Sequence, residues 1–345
     1  MKNIGRDSLF TNSFTVFFTF FLNRGACFTF LIIPAMFFSC VKEGTEQEVE
    51  DEVTAAILFK SGTMSTGSVS TLDVFIFEPS GTLDCYQRIP TPSTICEIAS
   101  GSGTKQLLLI ANSQNQTYEW TFIRNLYTMA DILVDLELER HEFPLMTSLI
   151  EIKAGENSRV ELFPIRSEIT INSLKCDFSK EVYHNESFTD VKMYLTNVNA
   201  SCSLVLSDKS HTSRIINTGM LDTSHLKNFK EADLIVQSID DPIGKEASLI
   251  QKSLFCYANQ PEDESIGSPM TKLVIEGKIG KDTYYYPIKI NPQGGGVARG
   301  CKYIFDIVLT RSGVTDPDGE LSEKDVEFKM EIEGWKEKDG YKVRF

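Results

Sequence analysis

Four histidines and eight cysteines are the residues of this 345-residue chain best suited to metal or nucleophilic chemistry. Their spacing points to neither. His141, His184, His211 and His225 are dispersed with no pair at a metal-ligand interval, and no CxxC or cysteine–histidine pattern suits zinc. His141 stands between Arg140 and Glu142, which reads as a solvated histidine in a charged turn. The sequence holds no Gly-x-Ser-x-Gly elbow, Walker loop or dinucleotide fingerprint. Gly294-Gly295-Gly296 lacks the lysine and following helix of a phosphate loop and reads as a flexible loop. In the run Asp316-Pro317-Asp318-Gly319-Glu320 the proline breaks the ligand spacing of a calcium loop, so it reads as a turn. The two carboxylates of a glycosidase could lie anywhere in a chain, and nothing singles out such a pair. These residues therefore point to no enzyme, and to no catalytic, cofactor-binding or metal site.

One cysteine has a definite chemical context. Two apolar runs, 14–22 and 26–38, flank the polar break Asn23-Arg24-Gly25. The second run is about 13 residues long, within the range of a signal-peptide core and short of the roughly 20 needed to span a bilayer. It ends Phe37-Phe38-Ser39-Cys40. A small residue before a cysteine at this point resembles a bacterial lipobox, where the thiol is acylated and the leader is cut before it. That reading makes 1–39 a lipoprotein signal peptide. The other reading is an uncleaved membrane anchor, for which the run is short. The first apolar run is unusual for a leader and fits a start codon downstream of Met1.

The segment after Cys40 is acidic and lacks aromatic residues, with Glu43, Glu46, Glu48, Glu50, Asp51 and Glu52 close together. Such a run stays solvated, so 40–52 reads as a tether. Loss of the leader removes Lys2, Arg6 and Arg24 with only Asp7, leaving a chain more acidic than its formal net charge of −14. Spread acidity argues against a nucleic-acid partner and against a polybasic membrane patch. Cys27 leaves with the leader. Cys85, Cys96, Cys176, Cys202, Cys256 and Cys301 remain. In an exported protein they could pair, Cys85 with Cys96 across a hairpin; isolated cysteines in apolar strands, such as Cys256, also read as plain core residues.

These residues must be carried by strands. A content of 41% hydrophobic and 24% charged residues is that of a globular protein able to bury a core without staples. Apolar or alternating runs at 53–59, 72–77 and 106–111 predict strands, with turn signals such as Pro79-Ser80-Gly81 between them. One segment, 121–138, has apolar residues three and four apart at Ile123, Leu126, Tyr127 and Ala130, which predicts a helix with Thr121 as its cap. Further strands are predicted at 159–165, 168–174, 191–198, 270–276, 283–290, 301–309 and 326–332, around a polar, indistinct stretch at 207–252. The expectation is a mainly β chain of two sandwich domains in series, 53–166 and 167–345, with one or two short helices.

Several short motifs in this order carry a resemblance. Residues 103–112 end an apolar strand in Ala111-Asn112. Leu145-Met146-Thr147, residues 255–259, Tyr285-Tyr286-Pro287-Ile288, residues 299–309, residues 309–317 and Trp335 follow. Together they resemble the fimbrillins, the shaft proteins of Bacteroidales-type (type V) fimbriae, over nearly all of 53–345. The acidic residues after Cys40 resemble the surface-export signal of Bacteroides-type lipoproteins. The resemblance implies transthyretin-like sandwiches, a lipoprotein precursor held in the outer membrane through lipid on Cys40, and polymerisation by strand exchange at the cell surface. The implied partners are other fimbrial subunits and host or bacterial surface receptors, with a role in adhesion.

Strand exchange needs a donor and an opening. Val326, Phe328, Met330 and Ile332 alternate with Asp325, Glu327, Lys329, Glu331 and Glu333. Same-face side chains in a strand lie about 6.8 Å apart, a spacing that suits either the chain's own core or a groove in a neighbour. The resemblance favours the neighbour and makes 325–345, with Trp335, the donor segment. It also implies that the first strand, 53–59, is removed by cleavage after an arginine in the following loop. Here the chain departs from the pattern, because no arginine occurs between Cys40 and Arg88. Lys60, with Ser61 and Gly62, marks the candidate processing loop. An uncut chain would instead be a lipid-tethered anchor subunit. A third reading is a surface glycan- or host-binding lipoprotein that never polymerises, using aromatics such as Tyr284, Tyr285 and Tyr286, of which the strand alternation turns at least one inward.

Overall fold

A computed structural model describes residues 53–61, 68–93, 95–116, 120–205, 214–262, 264–265, 267–322 and 324–334. The leader 1–39, Cys40, the tether 40–52, Gly62 and Trp335 lie outside these residues. The chain is mainly β. Five strands come first: β1 (Val53–Ser61), β2 (Leu72–Phe77), β3 (Leu83–Ile89), β4 (Ile95–Ser100) and β5 (Thr104–Ala111). Helix α1 (Leu126–Ala130), a short β6 (Leu133–Asp135), β7 (Met146–Lys153) and β8 (Ser158–Pro164) follow. Apart from β6, these strands form one sheet in the order β3-β2-β5-β7-β8-β1-β4, antiparallel except between β1 and β8. β7 and β8 pair only at Met146–Pro164 and Thr147–Phe163, the corner where the sheet folds over on itself.

Every residue of β2 is buried. Val74 and Ile76 face a cluster inside the folded sheet with Ile98, Leu107, Leu109, Val160 and Leu162. Phe75 and Phe77 face the other way, onto Trp120, Ile123, Leu126 and Met129. A strand covered on both sides reads as a nearly continuous apolar run, as 72–77 does, and its one charged residue, Asp73, is buried and paired with Arg88 at 2.8 Å.

The long helix expected over 121–138 is not formed. α1 has five residues, and its cap is Asn125, not Thr121: the Asn125 side chain accepts a hydrogen bond from the Thr128 amide at 2.8 Å. 3-10 turns at Trp120–Phe122 and Leu136–Leu138 bury Trp120 and Leu136 but leave Phe122 74% exposed. Spacing of three and four residues suits such turns as well as a helix. No helix among the described residues is long and apolar enough to cross a membrane.

The second half runs β9 (Ser167–Cys176), β10 (Phe188–Thr196), β11 (Val198–Asn199), β12 (Ser201–Ser203), β13 (Ile215–Ile216) and β14 (Val236–Ile239). It closes with β15 (Ser248–Cys256), β16 (Lys272–Ile279), β17 (Asp282–Lys289), β18 (Cys301–Leu309) and β19 (Val326–Gly334). Two four-stranded sheets, β15-β9-β18-β19 and β14-β10-β16-β17, pack Ile171, Phe305 and Ile307 against Met193, Ile275 and Tyr286. Gly277 interrupts the apolar pattern of β16 because the Phe188 ring lies over it; a Cβ there would come within 2.5 Å of that ring.

The two halves are stitched by buried polar groups. β6 pairs with β12, from Ser201–Asp135 to Ser203–Leu133. In the link between β8 and β9, Arg166 is fully buried and lies 3.8 Å from an equally buried Glu139. Its guanidinium donates to the carbonyls of Arg140 (2.8 Å) and His141 (3.2 Å) and lies 4.1 Å from the centre of the Phe255 ring. Glu139 accepts from the Leu145 amide (3.0 Å) and the Tyr257 hydroxyl (3.1 Å). Burial pushes the Glu139 carboxyl above the usual carboxylate range, while the Arg166 charge and these two hydrogen bonds pull it back. Arg299 makes a second stitch, donating to the carbonyls of Ser203 (2.7 Å) and Leu204 (2.8 Å) and to the Thr147 hydroxyl (3.3 Å).

Candidate functional site: an enclosed first strand and an open last one

β1 is an interior strand. On one side it runs antiparallel to β4, from Val53–Ser100 to Leu58–Ile95. On the other it runs parallel to β8, from Ile57–Ser158 to Ser61–Leu162. Strands in a sheet lie about 4.8 Å apart, so a chain without β1 would present two facing backbone ladders about 9.6 Å apart. Ile98 of β4 and Val160 and Leu162 of β8, all buried, would line that slot. Its unpaired amides and carbonyls would accept one strand from elsewhere.

Lys60 and Ser61 are the last residues of β1, and Gly62 follows outside the described residues. From Ser68 onward the chain is held firmly. The Ser68 amide donates to the Glu142 carbonyl at 2.9 Å. Asn112 Oδ1 accepts from the Ser70 amide (2.9 Å), while Nδ2 donates to the carbonyls of Ser68 (2.9 Å) and Pro144 (2.8 Å). Asn112 adopts φ 64°, a left-handed conformation that asparagine tolerates. The Ala111-Asn112 motif thus ends a strand and clamps the far side of the candidate processing loop. A cut within 62–67 leaves the chain from Ser68 onward fastened to the body.

β19 is an edge strand of the chain's own sheet. It pairs antiparallel with β18, from Leu309–Val326 to Cys301–Gly334, and no strand among the described residues covers its other side. Val326, Phe328, Met330 and Ile332 share a face with Leu309, Ile307, Phe305 and Tyr303. On β18 that row is fully buried. On β19 burial fades: Val326 is 7% exposed, but Phe328 is 44% and Ile332 48% exposed. A groove of about 590 Å³ runs between β17 and β19, its apolar lining of Ile288, Leu321, Val326 and Phe328 rimmed by Lys272, Lys289, Glu320 and Glu327. The structure therefore brings four of the candidate donor residues together and leaves much of their apolar surface open.

The other candidates separate. Tyr286 is buried with its hydroxyl on the Arg311 carbonyl at 2.5 Å, and Tyr284 and Tyr285 point to opposite sides of β17, so the three make no common platform. Cys176 and Cys256 are buried free thiols, pushed up to about 12 by burial, and Cys202 and Cys301 are half-buried free thiols. His211 lies outside the described residues and His184 is exposed. His141, expected in a solvated turn, is half-buried edge-on to Phe255 at 5.2 Å. Its Nε2 lies 3.1 Å from Asp233 Oδ1, and its amide donates to Glu231 at 2.6 Å. About ninety positions separate these residues in sequence, so no local spacing reveals their meeting.

No protein-family model and no curated protein matches the chain. Solved structures do. A candidate cell adhesion protein from Bacteroides eggerthii superposes with a TM-score of 0.60 at 13% identity, covering 82% of this chain and 96% of that one. The fimbrilin of Porphyromonas gingivalis gives a TM-score of 0.59 at 14% identity, covering 82% and 97%. A candidate cell adhesion protein from Parabacteroides distasonis gives 0.57 at 12%, covering 83% and 97%. At these identities the likeness is one of fold: the chain is built as the P. gingivalis fimbrilin and these Bacteroidales proteins are built, along nearly their whole length.

Proposed function

We propose that this chain is a structural, non-enzymatic subunit of cell-surface fimbriae, exported as an outer-membrane lipoprotein precursor and assembled by strand exchange, with a role in adhesion. One observation carries the reading: an interior first strand and an open-edged last strand are both nine residues long. In this scheme 53–166 and 167–345 act as two domains. Cleavage between Lys60 and Ser70 frees β1, and the 325–345 segment of another subunit, Trp335 included, fills the slot. Its Val326, Phe328, Met330 and Ile332 then reach a closed core. The fold shared with a fimbrilin supports this reading. The absent arginine favours a second one, in which β1 is never cut and the chain remains a lipid-tethered anchor. Other subunits are the expected partners, with host or bacterial receptors at the surface.

Polymerisation is tested in cell extracts: a subunit held by exchanged strands should run as a ladder of multimers that collapses to monomer on boiling. A single monomer band in unheated and boiled samples would overturn the proposal. For export, Cys40→Ala should leave unprocessed precursor and abolish labelling by a fatty-acid analogue; equal labelling of the variant would show that Cys40 is not the acylated residue.

A further inference from the structure

We propose that His141, Glu231 and Asp233 form a binding site for a divalent transition-metal cation of the zinc class, clasping the first half of the chain to the second. One donor atom from each side chain can be chosen so that all three lie within 4.8 Å of one another. Around tetrahedral zinc, donors at about 2.0–2.1 Å from the ion stand about 3.4 Å apart. His141 Nε2 and Asp233 Oδ1 are already at 3.1 Å. Asp233, whose side chain is 61% exposed, has room to adjust toward that geometry.

The second observation is the state of the ring nitrogen. Nε2 is shielded from solvent and makes no hydrogen bond; the approach of Asp233 is close but misaligned for one. A ring nitrogen shielded from solvent, with no hydrogen bond of its own and a carboxylate oxygen 3.1 Å away, is placed as a metal ligand.

The scaffold is rigid where a site needs it to be. The His141 backbone is held at both ends, its amide on Glu231 and its carbonyl on Arg166, while Phe255 packs on the ring. Glu231 precedes, and Asp233 lies within, a 3-10 turn (Ala232–Leu234) pinned by the fully buried Leu234. The nearby Arg166 charge is faced first by Glu139, 3.8 Å away, and more weakly by Glu231, and the two carboxylates of the site can balance a dication. One imidazole with two carboxylates suits zinc and its neighbours rather than calcium or magnesium, which take oxygen alone. Asp233 opens to solvent, and a water completes the coordination there. The proposal stands apart from the assembly reading, because it concerns the junction and not the exchanged strands.

The test uses purified full-length protein in detergent, stripped with a chelator and titrated with Zn²⁺ by calorimetry and with Co²⁺ by absorption. One Zn²⁺ per chain is expected, with the d–d bands of a low-coordinate Co²⁺ site and a thermal midpoint that rises on adding Zn²⁺. His141→Ala and Asp233→Ala should each weaken binding by about 100-fold or more, since loss of an outer contact alone costs about 10–100-fold. Asp233 lies on the surface, so its variant should keep the wild-type circular dichroism. Failure of the wild type to bind, or undiminished binding by both variants, would overturn the site and leave the cluster a plain ion pair.

Discussion

Replacing Arg166 by alanine is expected to destabilise the folded chain by about 3–5 kcal/mol, the usual cost of removing one partner from a buried ion pair. The cause is what stays behind. Glu139 would remain fully buried beside the Tyr257 hydroxyl and the Leu145 amide with no cation, and the Arg140 and His141 carbonyls would each lose a donor. The pair itself is not a strong source of stability, because both charges are desolvated. Arg166→Met combined with Glu139→Gln should therefore cost much less than the sum of the single variants. Urea unfolding followed by circular dichroism measures this. A loss below about 1 kcal/mol for Arg166→Ala, the scale of an exposed pair, would mean that the junction is wet and the two halves are not locked by this contact.

Deleting residues 326–345 is expected to abolish entry into fimbriae. The same deletion uncovers part of the β18 face, so circular dichroism must first show that the truncated chain still folds. A gentler variant separates the two effects. Phe328 and Ile332 are about half exposed in the free chain, so Phe328→Ser with Ile332→Ser should disturb its own fold little. Burying four apolar side chains of this strand in a neighbour contributes about 6–12 kcal/mol before association costs, and these two supply about half of it. A loss of about 3–6 kcal/mol is more than a hundredfold in affinity. If the folded double variant polymerises as well as the wild type, β19 is only the edge of its own sheet.

The strands that sequence reveals here are those whose burial follows a simple rule. β2 is covered on both faces and shows as an apolar run broken only by the buried Asp73; β18 and β19 are covered on one face and alternate. The 207–252 stretch hides β13 and β14 because strands of two and four residues are too short to show a period; β14 forms against the longer β10, and β13 pairs with an equally short β11. The 121–138 segment shows where its apolar residues fall but not which turns carry them. Motif residues such as Asn112, Arg299 and Asn259 stand out by resemblance, yet their work is visible only in three dimensions. Asn259, for example, donates to the Pro269 carbonyl at 2.9 Å and the Thr271 hydroxyl at 3.0 Å, tying the loop after β15 to the start of β16. Charged residues that meet across the junction, Arg166 with Glu139 and His141 with Asp233, look like surface residues in sequence because nothing local marks them as enclosed.

The candidate site divides the same way. The alternation at 326–332 names the donor face, whereas the position of β1 between β4 and β8 is a topological fact that no periodicity carries. That position is also why spontaneous release of β1 is excluded: unpairing two ladders and opening the slot costs roughly 5–10 kcal/mol or more. Assembly by strand exchange therefore requires a cut. Mass-spectrometric reading of the N-terminus of this chain within purified fimbriae tests that requirement most directly. A terminus between Lys60 and Ser70 is expected, with residues 53–59 absent from the assembled subunit. Polymerised chains that still carry residues 53–61 joined to Ser68 onward would contradict it.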